Sequence, residues 1–85
     1  MTRTVWTELV EELKETFDDD ELDVSPVSTA ADVEGWDSVS NIELIVALEA
    51  RFGVSFRTGE MSGLKNLGEL TTAIANKSGL PTGMP

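Results

Sequence analysis

The sequence predicts an all-α four-helix bundle, with three longer helices, one short helix and a long loop between helices 1 and 2. Apolar residues recur at spacings of three and four in three segments, and residues that start or stop helices flank these segments. With 85 residues and neither Cys nor His, the chain supports one domain without disulfides or the commonest zinc ligands. We expect this domain over residues 1–77, followed by a flexible tail over residues 78–85.

The first helix is expected to run from Thr4 to about Phe17. Polar residues, mostly glutamates, fill the face opposite its apolar stripe, which consists of Trp6, Leu9, Val10, Leu13 and Phe17. The acidic run from Asp18 to Glu21 should end the helix, because it would place like charges at the negative end of the helix dipole.

A long loop follows, and its mixture of turn formers and valines predicts an ordered crossover in which Val24 and Val27 touch the core. The acidic residues 18–23 raise the possibility of a calcium loop. The spacing does not fit an EF-hand, because Asp23 falls where Gly is needed and Thr29 where a bidentate Glu belongs. We therefore predict no metal site and interpret the run as a solvated cluster of charges.

Asp37 is a suitable N-cap for the second helix, and Gly53 is a suitable residue just beyond its end. The apolar positions between them are Val39, Ile42, Ile45, Val46, Leu48, Ala50 and Phe52. Residues 54–56 are too short to predict a strand, and we expect their apolar side chains to fold back onto the core. Thr58 could start the short helix, which would extend to Met61.

The last helix is predicted to start at Asn66, which with Glu69 resembles a capping arrangement, and to end near Lys77. Its apolar face consists of Leu67, Leu70, Ala73 and Ile74. For the interior of the bundle we predict Val39, Ile42, Val46, Phe52, Met61, Leu64 and Ile74. Ordinary core packing is the simplest role for these side chains.

Sixteen acidic residues against six basic ones give a net charge of −10. Such a chain is repelled by nucleic acid and by anionic membranes, and it favours partners that present Lys and Arg, although the charge could also serve only solubility. No apolar run approaches the length of a membrane span, and the first ten residues lack a signal-peptide pattern. We expect a cytoplasmic monomer without membrane insertion.

The most informative segment is the stretch from Gly35 to Leu44, in which Ser38 follows the long loop and begins the second helix. A phosphate joined to this hydroxyl would meet unpaired backbone N–H groups and the positive end of the helix dipole. Spacing alone favours a simpler interpretation, in which Asp37 and Ser38 only start a helix.

The segments 37–39, 42–49 and 51–54, which read Asp-Ser-Val, Ile-Glu-Leu-Ile-Val-Ala-Leu-Glu and Arg-Phe-Gly-Val, resemble the signature of acyl carrier proteins. The likeness continues to the Lys-Asn-Leu-Gly-Glu-Leu start of the last helix. It implies that Ser38 is the attachment point of 4′-phosphopantetheine, which a separate phosphopantetheinyl transferase takes from coenzyme A. The terminal thiol would hold acyl groups as thioesters. The resemblance also implies that Asp37 supports the transfer and its magnesium, and that the carrier itself has no catalytic residue.

The resemblance further implies that the second helix recognises partner enzymes through Val39, Ile42, Glu43 and Glu49. These partners would be an acyl-loading ligase or acyltransferase, a ketosynthase or other pathway enzymes with basic patches. Ser40, Ala50 and Arg51 stand where carriers of general fatty acid synthesis often have acidic residues. Glu34-Gly35-Trp36 stands where many relatives have Leu-Gly-apolar. We therefore expect a dedicated carrier in fatty acid, polyketide or related specialised biosynthesis.

Two alternatives to an acyl carrier are open at this point. One is an aminoacyl or peptidyl carrier loaded by an adenylating ligase. The other is an unmodified acidic helical interaction domain, in which Asp37 and Ser38 act only as a cap. An enzyme is disfavoured, because without His or Cys the chain has no convincing pair of base and nucleophile.

Overall fold

The computed structural model describes residues 3–57, 60 and 63–85. It contains three α-helices, α1 (Val5–Thr16), α2 (Ser38–Phe52) and α3 (Leu67–Ser78), and a 3₁₀ turn (Ala30–Asp32) in the crossover between α1 and α2. No strand occurs in these described ranges, which confirms an all-helical architecture. The expected short helix from Thr58 to Met61 lies outside the described residues except for Glu60, so the count of four helices stays a prediction.

The core is built from one buried stripe on each helix. α1 packs against both α2 and α3. The buried stripes consist of Val5, Leu9 and Leu13 on α1, Leu44, Leu48 and Phe52 on α2, and Leu67, Leu70 and Ile74 on α3. Burying each such side chain stabilises the fold by roughly 1.5 to 3 kcal/mol. Thr71 is also buried, and its hydroxyl donates to the Leu67 carbonyl at 2.7 Å, so no polar group is stranded there.

The helix boundaries follow the capping residues that the sequence predicted. The carboxylate of Asp37 accepts the Ser40 N–H at 2.9 Å, and the side chain of Asn66 accepts the Glu69 N–H at the same distance. α2 ends at Phe52 and is followed by Gly53, whose positive φ of 65° is a conformation that other residues rarely adopt. α3 ends at Ser78, one residue beyond the expected Lys77.

The predicted orientation of α2 was wrong. Val39, Ile42 and Val46 were expected inside the bundle, but 66, 63 and 60% of their surfaces are exposed. The core face is formed instead by Leu44, Leu48 and Phe52. Apolar residues occupy both faces of this helix, so its periodicity was compatible with two orientations. Phe52 and Ile74 are buried and Leu64 is partly buried, as predicted, whereas Met61 lies outside the described residues.

The crossover between α1 and α2 is fixed by one buried valine and by backbone hydrogen bonds to α3. Val33 is buried and Val24 packs against the core, but Val27 is exposed, so the expectation that Val27 touches the core was wrong. The N–H groups of Leu67 and Gly68 donate to the carbonyls of Ser28 and Pro26, respectively, at 2.9 and 2.8 Å. The crossover therefore lies against the start of α3.

The C-terminal residues lie along the start of α1. The N–H groups of Val5 and Trp6 donate to the carbonyls of Pro81 and Thr82 at 3.0 and 2.8 Å. These bonds provide partners for two N–H groups that the first turn of a helix leaves unpaired. Leu80 also packs against the core. The flexibility of residues 78–85 stays a prediction, and these contacts are what a flexible tail would have to break.

Candidate functional site

Ser38 is the first residue of α2 and is exposed. The helix begins because the carbonyl of Asp37 accepts the Asn41 N–H at 2.9 Å, while its carboxylate accepts the Ser40 N–H. The hydroxyl of Ser38 has no hydrogen-bond partner among the described residues. It therefore lies in solvent, at the positive end of the helix dipole.

The other serine at this helix start, Ser40, is fully engaged. Its hydroxyl donates to the Gly35 carbonyl at 2.8 Å and lies 3.1 Å from the carboxylate of Asp37. These contacts tie the end of the crossover to the first turn of α2. Of the two hydroxyls beside Asp37, only that of Ser38 is available.

Asp37 carries a negative charge next to this hydroxyl. The hydrogen bond from the Ser40 N–H, and after it the nearby Ser40 hydroxyl, which shares its proton between Asp37 and the Gly35 carbonyl, hold the pKa of the Asp37 carboxyl below its usual value. The group is exposed and stays ionised at neutral pH. It can therefore serve both as the helix cap and as an oxygen ligand that a partner's metal ion could approach.

Two aromatic residues hold the loop that leads into the site. The rings of Phe17 and Trp36 lie 5.5 Å apart, and the indole N–H of Trp36 donates to Asn41 Oδ1 at 3.1 Å. Gly35, the residue before Trp36, has a φ of +87°, which favours glycine. Sequence reasoning did not assign a role to Trp36 or Asn41. A tryptophan just before an N-cap, with a carboxamide one turn into the helix, was the available signal.

Three of the four predicted partner-recognition residues, Val39, Ile42 and Glu43, share the solvent face of α2. Val39, Ile42 and Val46 are spaced by three and four residues and form an exposed apolar strip, which we call the outer stripe. Glu43 and Ala50 are also exposed on this side of the helix. Glu49, in contrast, is partly buried, and its Oε2 accepts the Phe56 N–H at 2.9 Å. It thereby fixes the segment that follows α2.

Arg51 points toward α1, away from the outer stripe. Its guanidinium lies within 4 Å of four α1 carboxylates, at 3.7, 3.3, 3.1 and 3.8 Å from those of Glu8, Glu11, Glu12 and Glu15. Partial burial lowers the pKa of Arg51, but hydrogen bonds to Glu12 and Glu11 and the charges of Glu12 and Glu15 together outweigh it, so the pKa lies above its usual value. The positive charge of Arg51 therefore pairs α2 with α1.

A cavity of about 230 Å³ lies beside the site, between the crossover, α2 and the start of α3. Trp36 and Asn41 line it on the side of Ser38. Leu64, Leu67 and Leu70 provide its apolar wall.

No helix in the described part of the chain is long and apolar enough to cross a membrane.

A small helical domain with an available serine hydroxyl at a helix start, beside an ionised aspartate, has the architecture of a carrier for a covalently attached arm. Residues 7–74 match the family model described as "Phosphopantetheine attachment site". The chain is 35% identical over 72 residues to the acyl carrier protein of Acidothermus cellulolyticus, which covers 85% of this chain and 86% of that protein. It also resembles the solution NMR structure of the holo acyl carrier protein from Geobacter metallireducens, with a TM-score of 0.80 and 34% identity over 86% of this chain and 84% of that one. The chain belongs to the acyl carrier protein family.

Family membership confirms the function that the resemblance implied. Acyl carrier proteins are carriers and not enzymes, and their prosthetic group is 4′-phosphopantetheine. The chain is therefore a phosphopantetheine-dependent carrier of acyl groups. The alternative of an unmodified interaction domain is set aside by the same match.

Proposed function

We propose that the Oγ atom of Ser38 is the attachment point of the 4′-phosphopantetheine arm. The observation that carries this proposal is the difference between the two serines at the start of α2. The hydroxyl of Ser40 is held by the Gly35 carbonyl and by Asp37, whereas that of Ser38 is exposed and has no partner among the described residues. Of these two serines, only Ser38 can react without breaking the bond between Ser40 and the Gly35 carbonyl.

The surroundings of Ser38 fit a phosphodiester. On transfer, the serine oxygen would form a bond to the phosphorus of coenzyme A and displace its nucleotide part, while the hydroxyl proton leaves. The new phosphate would lie at the N-terminus of α2, where unpaired N–H groups and the helix dipole favour negative charge. The bound arm supplies a terminal thiol that holds acyl groups as thioesters.

Asp37 would repel that phosphate unless a cation lies between them. We therefore propose that Asp37 supports the transfer by approaching the magnesium ion held by the phosphopantetheinyl transferase. Its lowered pKa keeps the carboxylate charged for this role. The hydrogen bonds from Ser40 also hold the carboxylate beside the reacting serine.

The proposed partner surface is the outer stripe together with Glu43. Partner enzymes would cover the exposed apolar strip of Val39, Ile42 and Val46 and place basic side chains near Glu43. These partners are the transferase, an acyl-loading ligase or acyltransferase, and a ketosynthase or other pathway enzyme. Glu49 can contact a partner through its Oε1 atom, because Oε2 accepts the Phe56 N–H.

For the pathway we propose specialised acyl biosynthesis, including polyketide synthesis, in a cytoplasmic monomer. The support comes from the outer face of α2, where Ala50 is exposed. The other two departures from the pattern of general fatty acid carriers have internal roles, because Ser40 binds Gly35 and Arg51 binds α1. They therefore add little to the argument about the pathway.

Arm transfer from coenzyme A by a promiscuous phosphopantetheinyl transferase, followed by intact mass measurement, tests the attachment point. We expect the native chain to gain the mass of one arm and Ser38→Ala to gain none. Ser55→Ala is a matched control, because Ser55 is exposed and lies outside the helices. Mass gain by Ser38→Ala, or none by the native chain, would contradict the proposal.

A further inference from the structure

The cavity beside Ser38 has an apolar wall and a polar rim. The polar residues that line it are Ser28, Asn41, Lys65 and Asn66, opposite the leucines of α3 and its approach. The Ser28 hydroxyl already accepts the Ser25 N–H at 2.9 Å. The chemistry of this rim indicates which kind of cargo it accepts.

Both carboxamide oxygens of the rim are already occupied. Oδ1 of Asn41 accepts the indole N–H of Trp36 at 3.1 Å, and Oδ1 of Asn66 accepts the Glu69 N–H at 2.9 Å. Because an indole and a backbone N–H can only donate, these bonds also fix which amide atom is oxygen. Each oxygen thus already accepts one bond, whereas neither NH₂ group has an acceptor among the described residues, so the NH₂ groups are the free donors of the rim.

Lys65 adds a positive charge to the same rim. It is exposed and forms no ion pair within the described ranges, although the chain contains sixteen acidic residues. An ammonium group can only donate hydrogen bonds. The rim side chains thus present two amide donors and one cation, and none of them offers a negative group.

The position of the cavity suits a group carried on Ser38. Asn41 lies one helical turn beyond Ser38, and residues three apart on a helix are neighbours. The volume of about 230 Å³ exceeds the roughly 150 Å³ of an engineered cavity that accommodates benzene. When the flexible arm folds back onto the domain, a short acyl group on its thiol can enter the cavity, and the far end of that group would meet the donors of the rim.

We propose that this cavity selects an acyl cargo whose far end is a carboxylate, with Lys65 as the specificity-determining residue and the amides of Asn41 and Asn66 as additional donors. This inference rests on the proposed attachment of the arm to Ser38. A carboxylate supplies only acceptors and a negative charge, which complements the rim. An apolar end of equal size would leave the ammonium and both amides to water and would gain no charge-assisted hydrogen bond.

The test compares two cargoes of equal shape on the intact chain. A glutaryl group and its apolar isostere, in which two methyl groups replace the carboxylate oxygens, are transferred with the arm from their coenzyme A thioesters. Mass spectrometry first verifies loading, so that failure of attachment is separated from failure of this inference. Thioester hydrolysis and the NMR signals of the two side-chain amides are then measured.

We expect the glutaryl thioester to hydrolyse about tenfold more slowly than the isostere, the effect of one hydrogen bond to a charged group. Lys65→Met should remove this difference, whereas Lys14→Met, a change on α1, should keep it. Asn41→Asp and Asn66→Asp keep the occupied oxygens but replace the donors by negative charge, so both should also reduce the difference. Glutaryl should shift both amide signals.

Equal hydrolysis of the two cargoes would overturn the proposal. A difference that survives Lys65→Met would do the same, because it would place the selecting charge elsewhere. If the arm without cargo shifts both amide signals as much as glutaryl does, the cavity holds the arm itself and the assignment to the cargo end is wrong.

Discussion

The guanidinium of Arg51 lies 3.1 Å from the carboxylate of Glu12 and thereby joins α2 to α1. Both side chains are largely shielded from solvent, with 23 and 12% of their surfaces exposed. Three further α1 glutamates lie within 4 Å of the same group. In a chain of charge −10, Arg51 offsets the repulsion within this row of four carboxylates, at whose first member, Glu8, Arg3 also pairs at 2.7 Å.

Replacing Arg51 by Met should therefore destabilise the fold. We expect a loss of about 1 kcal/mol in the free energy of unfolding, at the upper end for isolated surface pairs because several charges share the cation. Urea denaturation at low salt measures it, and added salt should reduce the loss. Arg57→Met is the control, because Arg57 is exposed, lies outside the helices and has no ion pair within 4 Å in the described part of the chain, interacting only at longer range with Glu60. Equal losses in both variants would contradict this role for Arg51.

The orientation of α2 gives a second prediction. Leu44→Ala removes a fully buried side chain and should cost about 2 to 5 kcal/mol. Val46→Ala removes an exposed one and should change stability by about 0.5 kcal/mol or less. Chemical denaturation of both variants checks this contrast. A larger loss for Val46→Ala would mean that α2 packs through the opposite face.

The pH dependence of stability should contain a contribution from Asp37. Hydrogen bonds from Ser40 lower the pKa of this carboxyl in the folded chain, so the unfolded chain binds its proton more readily. The contribution is therefore present above the unfolded pKa of about 3.9 and is lost as the pH falls through the lower folded pKa. The comparison with Asp37→Asn isolates it, because Asn also caps helices but does not titrate.

We expect the stability advantage of the native chain over Asp37→Asn to shrink as the pH falls below about 3.9. The pKa values of Glu8 and Glu60 are also lowered, but these groups are present in both proteins and their effects cancel. Unfolding by urea across the acidic range provides the measurement. A difference that is constant with pH would show that the hydrogen bonds do not favour the charged form.

Trp36→Phe tests how the loop before Ser38 is held. The change keeps an aromatic ring near Phe17 but leaves Oδ1 of Asn41, which lies in a partly buried contact, without its donor. We expect a loss of about 1 kcal/mol in stability. Amide hydrogen exchange should also become faster at residue 36 and at Ser40, whose N–H groups donate to the Val33 carbonyl and to the Asp37 carboxylate. Unchanged exchange there would show that the tryptophan does not position the site.

Gly83→Ala tests the contacts between the C-terminal residues and α1. Gly83 has a φ of +65°, and an added Cβ would collide with the side chain of Thr4. We expect faster hydrogen exchange at Val5 and Trp6, because their acceptors, the carbonyls of Pro81 and Thr82, would be displaced. Gly53→Ala is the matched control, since it has the same φ but open space around it. Similar exchange at Val5 and Trp6 in both variants would support the predicted flexible tail.

Local sequence signals predicted the helix ends better than the helix faces. Asp37, Gly53 and Asn66 were recognised because capping depends on residue types at fixed short distances along the chain. The buried face of α2 depends on α1 and α3, which are distant in sequence, and its apolar residues surround much of the helix. Periodicity could not choose between Leu44 and Val46.

The same distinction applies to the candidate site. Ser38 could be proposed from its position and from the resemblance, because both are properties of a short segment. The engagement of Ser40, the bond between Trp36 and Asn41, and the orientation of Arg51 toward α1 arise from contacts between segments. Their residue types alone did not distinguish a partner contact from an internal one.

The outer stripe of α2 also bears on how copies of this chain meet one another. Exposed Val39, Ile42 and Val46 would favour association of two chains through their apolar surfaces. Each copy carries the same charge of −10, so long-range repulsion opposes that encounter, while a basic enzyme is attracted at the same range. High salt weakens both effects. Ionic strength therefore sets the balance between self-association and productive encounters.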